Sequence, residues 1–591
     1  MTHAMRRTLL LLLWIAPVAI VTACGCGAKE SKQTPVAANQ PAQPNQPALA
    51  NQAAQPNQPA RPAQPNQATP PNQATPPSEA TQPAPAEKPH VAITISKATT
   101  SLTEPLRSNG YVDYLTVLNQ RSGQGVTPEN NAAALFWKAV GPAEIRPEDR
   151  PRYFQMLGIP PLPEKAACFA PLDKYLTRSK DSTRHPYGKL KGKTVDSTLP
   201  LLHPAMRRPW SKAEFAELAA WLGANEKPLA LVAEASRRPR RYDPLFTEKD
   251  GILSVILLPA VLQYHDAAET LLARAMLRIG EAKPAAAWDD LLTCHRLARL
   301  IGQGPTLADI LTAVDLDGQA CAGDQALLQA AKLSAAELVK MRDDLQSLPP
   351  LPKVVDRIDA TERFVFLDGI ALVAREGIAA ADKLTEDQEN AECQTNSIVS
   401  SLAGAVINWD NVLSTGNTWY DQIVAAYGKP TRTERKKAAE KLAEELGKQA
   451  NPDSGWASMV VAAISDPKQL YLREFAKVFV SKILPTVERI ANAADRGVMQ
   501  FELDKLAFTL AAYRADHGSY PVKLADLKPK YLAEVPKDMF NDGELNYRLE
   551  AGGYLLYSVG VNGKDDGAKT LEDRKADEEW DDLVVRMAAA K

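Results

Sequence analysis

From about residue 91 onward, apolar residues recur at three- and four-residue intervals, the spacing of a helix that buries one face. Asn131–Val140 follows Thr127-Pro128-Glu129, which puts a proline near the first turn and marks a helix start. Ser211 precedes Lys212-Ala213-Glu214, a capping-box pattern leading into Phe215, Leu218, Trp221 and Leu222. Further helices are predicted over 253–280, 284–301, 305–331, 334–346 and 354–376, with Pro284, Pro305 and Pro349-Pro350 as punctuation. The stretch 432–448 alternates charges at helical spacing and reads as an exposed helix. Short helices joined by short turns predict a mainly α region over 91–484, either a helical-hairpin array or an irregular helical bundle.

The pattern changes near 485. Pro485 to Ala515 reads as one long helix carrying Ile490, Ala494, Val498, Phe501, Leu506, Leu510 and Tyr513, with Gly518 as its C-cap. A short turn at Leu524–Leu527 follows. Two strand-like runs, Asn546–Leu549 and Gly553–Val559, flank Glu550-Ala551-Gly552, a hairpin signal. A small α+β domain is therefore expected over 485–591.

The first ninety residues follow neither pattern. Arg6 and Arg7 precede an apolar run from Thr8 to Val21, broken only by Pro17. The run is shorter than the ~20 residues a membrane-spanning helix needs and suits the h-region of a signal peptide over 1–23. From about Thr34 to Pro89 the chain is almost purely Pro, Ala, Gln, Asn and Thr, and Pro-Asn-Gln recurs at 44, 56, 65 and 71. With few large apolar residues, the segment 24–90 cannot offset the entropy of ordering, and a disordered Pro/Gln/Asn-rich tether is predicted. About 60 residues would average roughly 40 Å end to end as flexible coil and approach ~190 Å as extended polyproline.

At the end of the leader stand Val21-Thr22-Ala23-Cys24. This tetrapeptide resembles the lipobox of bacterial lipoproteins. The resemblance implies cleavage between Ala23 and Cys24, lipidation of Cys24, and attachment to a membrane through that anchor. Gly25 stands where the family's inner-membrane retention signal has Asp, so the implied location is the cell envelope on the outer membrane. Several acyl chains on one cysteine hold firmly, where one holds only marginally.

A chain of 591 residues suggests more than one domain, and a net charge of -2 gives no general attraction to nucleic acid, which is not expected as a partner. Aromatics are sparse at 6%, which favours helices over sheets. Cys26 sits beside the proposed anchor. The spacing of Cys168, Cys294, Cys321 and Cys393 assigns no disulfide, and buried thiols are the default.

Two further resemblances come from longer motifs. Residues 267–301 are similar to one tetratricopeptide unit, with small Ala275, Gly280 and Ala287 where paired helices would meet. The tail carries LAAYRADHGSYP at 510–521, VPKD at 535–538 and YSVGVNG at 557–563. In that order these resemble the periplasmic headgroup of the type II secretion major pseudopilin. The resemblance implies a head-like fold, pilin-like or secretion-system partners, and Ca²⁺ in the loop bearing Asn562, Asp565, Asp566, Asp573 and Asp577. Asn562 replaces the family's acidic residue before the last glycine, which lowers the expected affinity. The family's helix continues from an apolar polymerising segment, whereas Lys482 to Ala493 is not a membrane segment, so no pilus is implied. The whole chain is also similar to large bacterial secreted proteins with this tail, which adds no activity.

Other candidate chemistry is sparse. Asp315-Leu316-Asp317-Gly318 starts like an EF-hand loop but lacks Glu at the twelfth position. His265-Asp266 and Cys294-His295 fall on predicted helices, where neighbours point about 100° apart, so neither pair is expected to form a two-ligand metal face. HExxH, GxSxG and GxxxxGK[ST] are absent from the sequence. The basic run Arg237–Arg241 (with proline at 239) is expected in a surface loop, where it could also meet anionic lipid or polysaccharide. These features favour a membrane-anchored binding or scaffold protein. The alternatives are an accessory of a type II secretion-like system and an envelope hydrolase with converging carboxylates or histidines in the helical domain.

Overall fold

Ten helices and a three-stranded sheet carry the architecture needed below. The computed structural model describes residues 92–163, 168–178, 199–247, 253, 256–376, 408–450, 479–574 and 578–588. The signal peptide, Cys24, the tether, Cys393 and Asp577 lie outside the described residues. The helices are α1 (Ala132–Val140), α2 (Leu199–Arg207), α3 (Pro259–Gly280), α4 (Pro284–Ile301), α5 (Leu307–Ala330), α6 (Ala335–Gln346), α7 (Arg363–Glu376), α8 (Trp409–Tyr427), α9 (Arg432–Ala450) and α10 (Leu484–His517). The sheet is an antiparallel meander of β1 (Asn546–Glu550), β2 (Gly553–Ser558) and β3 (Leu583–Met587), with β2 in the centre.

Local chemistry sets most boundaries. Thr306 caps α5 in a reciprocal box with Asp309, and Ser334 does the same for α6 with Glu337. Prolines open α3 and α4. Gly518 ends α10 in the left-handed conformation, φ 78°, and its N–H donates to the Arg514 carbonyl. Three expectations shift. Ser211 does not cap a helix, because the Glu214 carboxylate turns to Arg208, and the helix starts at Ala216. The helix expected from 253 begins at Pro259, after a short antiparallel pairing of Phe246–Thr247 with Ile256–Leu257. The stretch 354–376 is interrupted by a π turn over Ile358–Glu362.

Two hydrophobic cores form. The first gathers α1, α3, α4, α5 and α6 with the C-terminal half of α10 and the sheet; Phe136, Tyr264, Leu291, Leu316, Phe508 and Tyr554 are all sealed within it. The second gathers Tyr114, α7, α8, α9 and the N-terminal end of α10, around Phe366, Tyr420 and Phe479. Helix α10, about 51 Å long at 1.5 Å per residue, therefore contributes to both cores. The expected boundary at 484/485 sits at its first residue, and from Met499 on its buried apolar residues share their core with α4, α5 and α6. The described residues belong to one contact unit. Among the described residues, no helix is long and apolar enough to cross a membrane.

The tail motifs act as staples. Asp538 is fully buried; it accepts the Ser558 hydroxyl at 2.9 Å and the N–H groups of Val559 and Phe540 at 2.8 and 3.0 Å. Asp581 similarly accepts the Val561 N–H at 2.9 Å. These bonds tie the loop before β1 to the end of β2 and to the residues entering β3.

Candidate functional site

Helix α5 packs against α3, α4 and α10 and carries two polar stripes. Asp317, Cys321 and Asp324 recur at i, i+4 and i+7, so they share one face. That face meets His295 and Arg299 of α4 and Asp504 of α10. His295 Nδ1 lies 2.6 Å from Asp317 Oδ1, and Nε2 lies 3.0 Å from Asp324 Oδ2. Arg299 Nη1 stands 2.6 Å from the same Asp317 oxygen. All six side chains are buried, and those of His295, Asp324 and Asp504 are sealed from solvent.

The electrostatics of this cluster are set by burial against charge. Burial pulls His295 toward neutrality, but Asp324 and Asp317 outweigh it and lift its pKa to about 9. Burial raises Asp317, yet His295 and Arg299 prevail and hold it below the usual carboxylate range. Asp504 is pushed well up, first by burial and then by the adjacent Asp324 carboxylate. Burial also drives Cys321 far up.

The second stripe of α5 opens to solvent. Asp315, Gly318, Gln319 and Ala322 floor a groove of about 710 Å³, walled by α2, α3, α10 and the tail residues Glu572 and Leu583. Its lining carries both signs of charge, Arg207 and Arg496 against Glu269, Asp315 and Glu572, while burial and then Arg207 hold the His203 pKa below 6.5. Behind two of its lining carboxylates the buried His265 stands with Nδ1 3.6 Å from Glu269 and Nε2 3.5 Å from Asp315. Neither ring nitrogen makes a well-formed hydrogen bond. Burial lowers the His265 pKa, but Asp315, Glu269 and Asp266 together hold it above 6.5.

The sequence-predicted residues have varied places. His265 and Asp266 come together after all, with Glu269 one turn on, because their side chains reach across the 100° between them. Cys294 does turn away from His295, and its thiol faces the Ala268 carbonyl at 3.6 Å. Cys294 and Cys321 are buried free thiols, and Cys168 is free and half-buried. The stretch Asp315–Gly318 is mid-helix, so the EF-hand likeness has no loop to form in. The basic run is not a free surface loop throughout. Arg241 is buried between Asp243 and Asp309, at 2.7 and 3.0 Å, with Tyr264 beneath it, and Arg238 donates to the carbonyls of Pro128 and Asn131.

In the acidic tail loop, Asn562 and Asp566 meet at 2.9 Å. Asp565 accepts from the Tyr557 hydroxyl and the Gly567 N–H, and Asp573 closes its own turn on Thr570. Asp582, absent from the sequence-based set, accepts the Ala568 N–H; burial, with Asp566 and Asp565 nearby, lifts its pKa to about 6. Comparison with protein-family models, curated proteins and solved structures finds no match for the chain.

Proposed function

We propose that this is a lipid-anchored cell-envelope protein, held on the outer membrane through Cys24, whose helical body acts as a binding or scaffold unit. The groove along α5 carries the reading. Its volume suits a small ligand or a short chain segment, and its paired charges suit a polar partner bearing both signs. Arg207 is solvent-exposed at its rim, available to an anionic group, while Glu269, Asp315 and Glu572 offer the opposite charge.

Two experiments address the two halves of this reading. Labelling of the cells with a fatty acid should mark the wild-type chain and not Cys24→Ser; equal labelling rejects the anchor. Affinity capture with the full chain should recover a partner that Arg207→Glu with Asp315→Lys loses; unchanged capture removes the groove from the reading.

A second reading, an envelope hydrolase, draws support from the buried His265 flanked by Glu269 and Asp315, the two carboxylates that line the groove. Under it, His265→Gln abolishes hydrolysis of an envelope polymer while leaving partner capture intact. The accessory role in a type II secretion-like system rests on the tail. Its order of long helix, Asp538–Ser558 staple and hairpin agrees with a pseudopilin-like head, and the reading predicts crosslinks to pilin-like proteins.

A further inference from the structure

We propose that His295, Cys321, Asp324 and Asp504 form a closed structural centre for one divalent transition-metal ion, zinc by the chemistry of its donors. Three helices supply these groups, and ligand atoms of His295, Cys321 and Asp504 all lie within 4.8 Å of one another.

The strongest sign is an unmet demand. Neither oxygen of Asp504 has a hydrogen-bond donor, and Asp324 Oδ1 has none either, although both residues are sealed from solvent. Buried carboxylate oxygens without partners are costly. The group facing Asp504 is a second carboxylate, Asp324, which compounds the cost. A cation between the two answers both.

The donor types narrow the ion. One imidazole, one thiolate and two carboxylates make a four-coordinate N/S/O set, which zinc takes as a tetrahedron and which calcium or magnesium would not select. Two zinc-bound N and O atoms in a tetrahedron stand about 3.4 Å apart, against 3.0 Å between His295 Nε2 and Asp324 Oδ2. A few tenths of an ångström of side-chain movement brings that edge to the tetrahedral value. Upon binding, the Cys321 thiol proton, the proton held between Asp324 and Asp504 and any imidazolium proton on Nε2 leave to solvent, because only the deprotonated forms ligate.

The surroundings match a metal's outer shell. Asp317 holds His295 Nδ1 at 2.6 Å, the carboxylate–histidine–metal arrangement that fixes the ring and strengthens its donor nitrogen. Arg299 balances Asp317 in turn and stacks 4.5 Å over Phe501. Every ligand is sealed or nearly so, so the ion would join α4, α5 and α10 without meeting substrate. This centre is separate from the groove and stands whether or not the groove reading holds.

The competing occupant is a proton shared by Asp324 and Asp504. The full chain should be unfolded in guanidinium with a chelator, then refolded with zinc or with the chelator alone. After desalting, mass spectrometry should find about one zinc per chain, and the zinc-refolded sample should melt higher. Cobalt in place of zinc should give thiolate-to-cobalt absorption in the near ultraviolet. Cys321→Ser should lose that band, and Asp317→Asn should weaken affinity about 10–100-fold while circular dichroism stays native. Asp504→Asn separates the two occupants. Its amide can donate to Asp324, so a shared-proton core tolerates it, whereas the metal centre loses its ion. No bound zinc with an unchanged melting temperature, or equal metal in wild type and Cys321→Ser, overturns the proposal.

Discussion

Replacing Glu362 by glutamine should stabilise the protein above neutral pH and change little in acid. Glu362 closes the π turn between Ile358 and α7. The neighbouring Arg363 turns away to Asp359, Asn417 and Asp421. Burial alone then lifts the Glu362 carboxyl from its ordinary 4.5 to about 7. The folded form thus binds the proton more tightly than the unfolded chain does. The carboxyl carries no penalty below about pH 4.5, where both states are protonated. Stability falls as pH rises toward 7, and the penalty is complete above it. The gap between 4.5 and about 7 sets a ceiling of about 3.5 kcal/mol at 1.4 kcal/mol per pH unit. The residue is partly open to solvent, so the expected gain is about 1–2 kcal/mol. Urea midpoints of wild type and Glu362→Gln, compared at about pH 4 and about pH 8.5, provide the measurement. The midpoints should coincide in acid and separate in base with the variant ahead. A difference independent of pH, or a less stable variant in base, refutes the reasoning.

Arg241→Met strands the Asp243 and Asp309 carboxylates in the core and should cost about 3–5 kcal/mol in chemical denaturation, part of it recovered by adding Asp309→Asn. Gly280→Ala should lower the melting temperature sharply, because its methyl would strike the Trp210 carbonyl, whereas Gly447→Ala meets open space on α9 and should gain about 0.5–1 kcal/mol. In the tail, Asp565 and Asp566 crowd Asp582 enough to help lift it to about 6. Millimolar calcium should therefore raise the melting temperature of the full chain at neutral pH, and by less near pH 5, where Asp582 is largely protonated. No shift at either pH assigns these carboxylates to the loop backbone alone.

Much of the helical layout was legible because its signals are local. Pro284, the Thr306 and Ser334 caps and Gly518 each fix an end within a turn, and 284–301 and 334–346 are met almost to the residue. Strand β3 was not foreseen, since Leu583–Met587 is short and gains its identity only by pairing with β2. Val498, expected on an apolar face, is exposed, while Asp504 a turn and a half on is sealed; the face of α10 is chosen by α5 and α6, not by hydropathy. The polar clusters were missed because adjacent residues were weighed as pairs. The informative spacing was Asp317, Cys321 and Asp324 on one face of α5, with His295 and Arg299 one turn apart on the preceding helix α4. Even so, Asp504, some 180 residues later, joins them only through the fold. The proposed lipobox and tether, by contrast, rest on sequence alone.

The account turns on whether the groove along α5 holds a partner in the envelope. A photo-crosslinking residue should replace Gln500, on the α10 wall of the groove, in the full-length chain in living cells, with Lys448 on the exposed face of α9 as the control site. The account predicts one discrete adduct from position 500, none from position 448, and loss of that adduct when Arg207 becomes Glu. No adduct from position 500, or the same adducts from both sites, would contradict it.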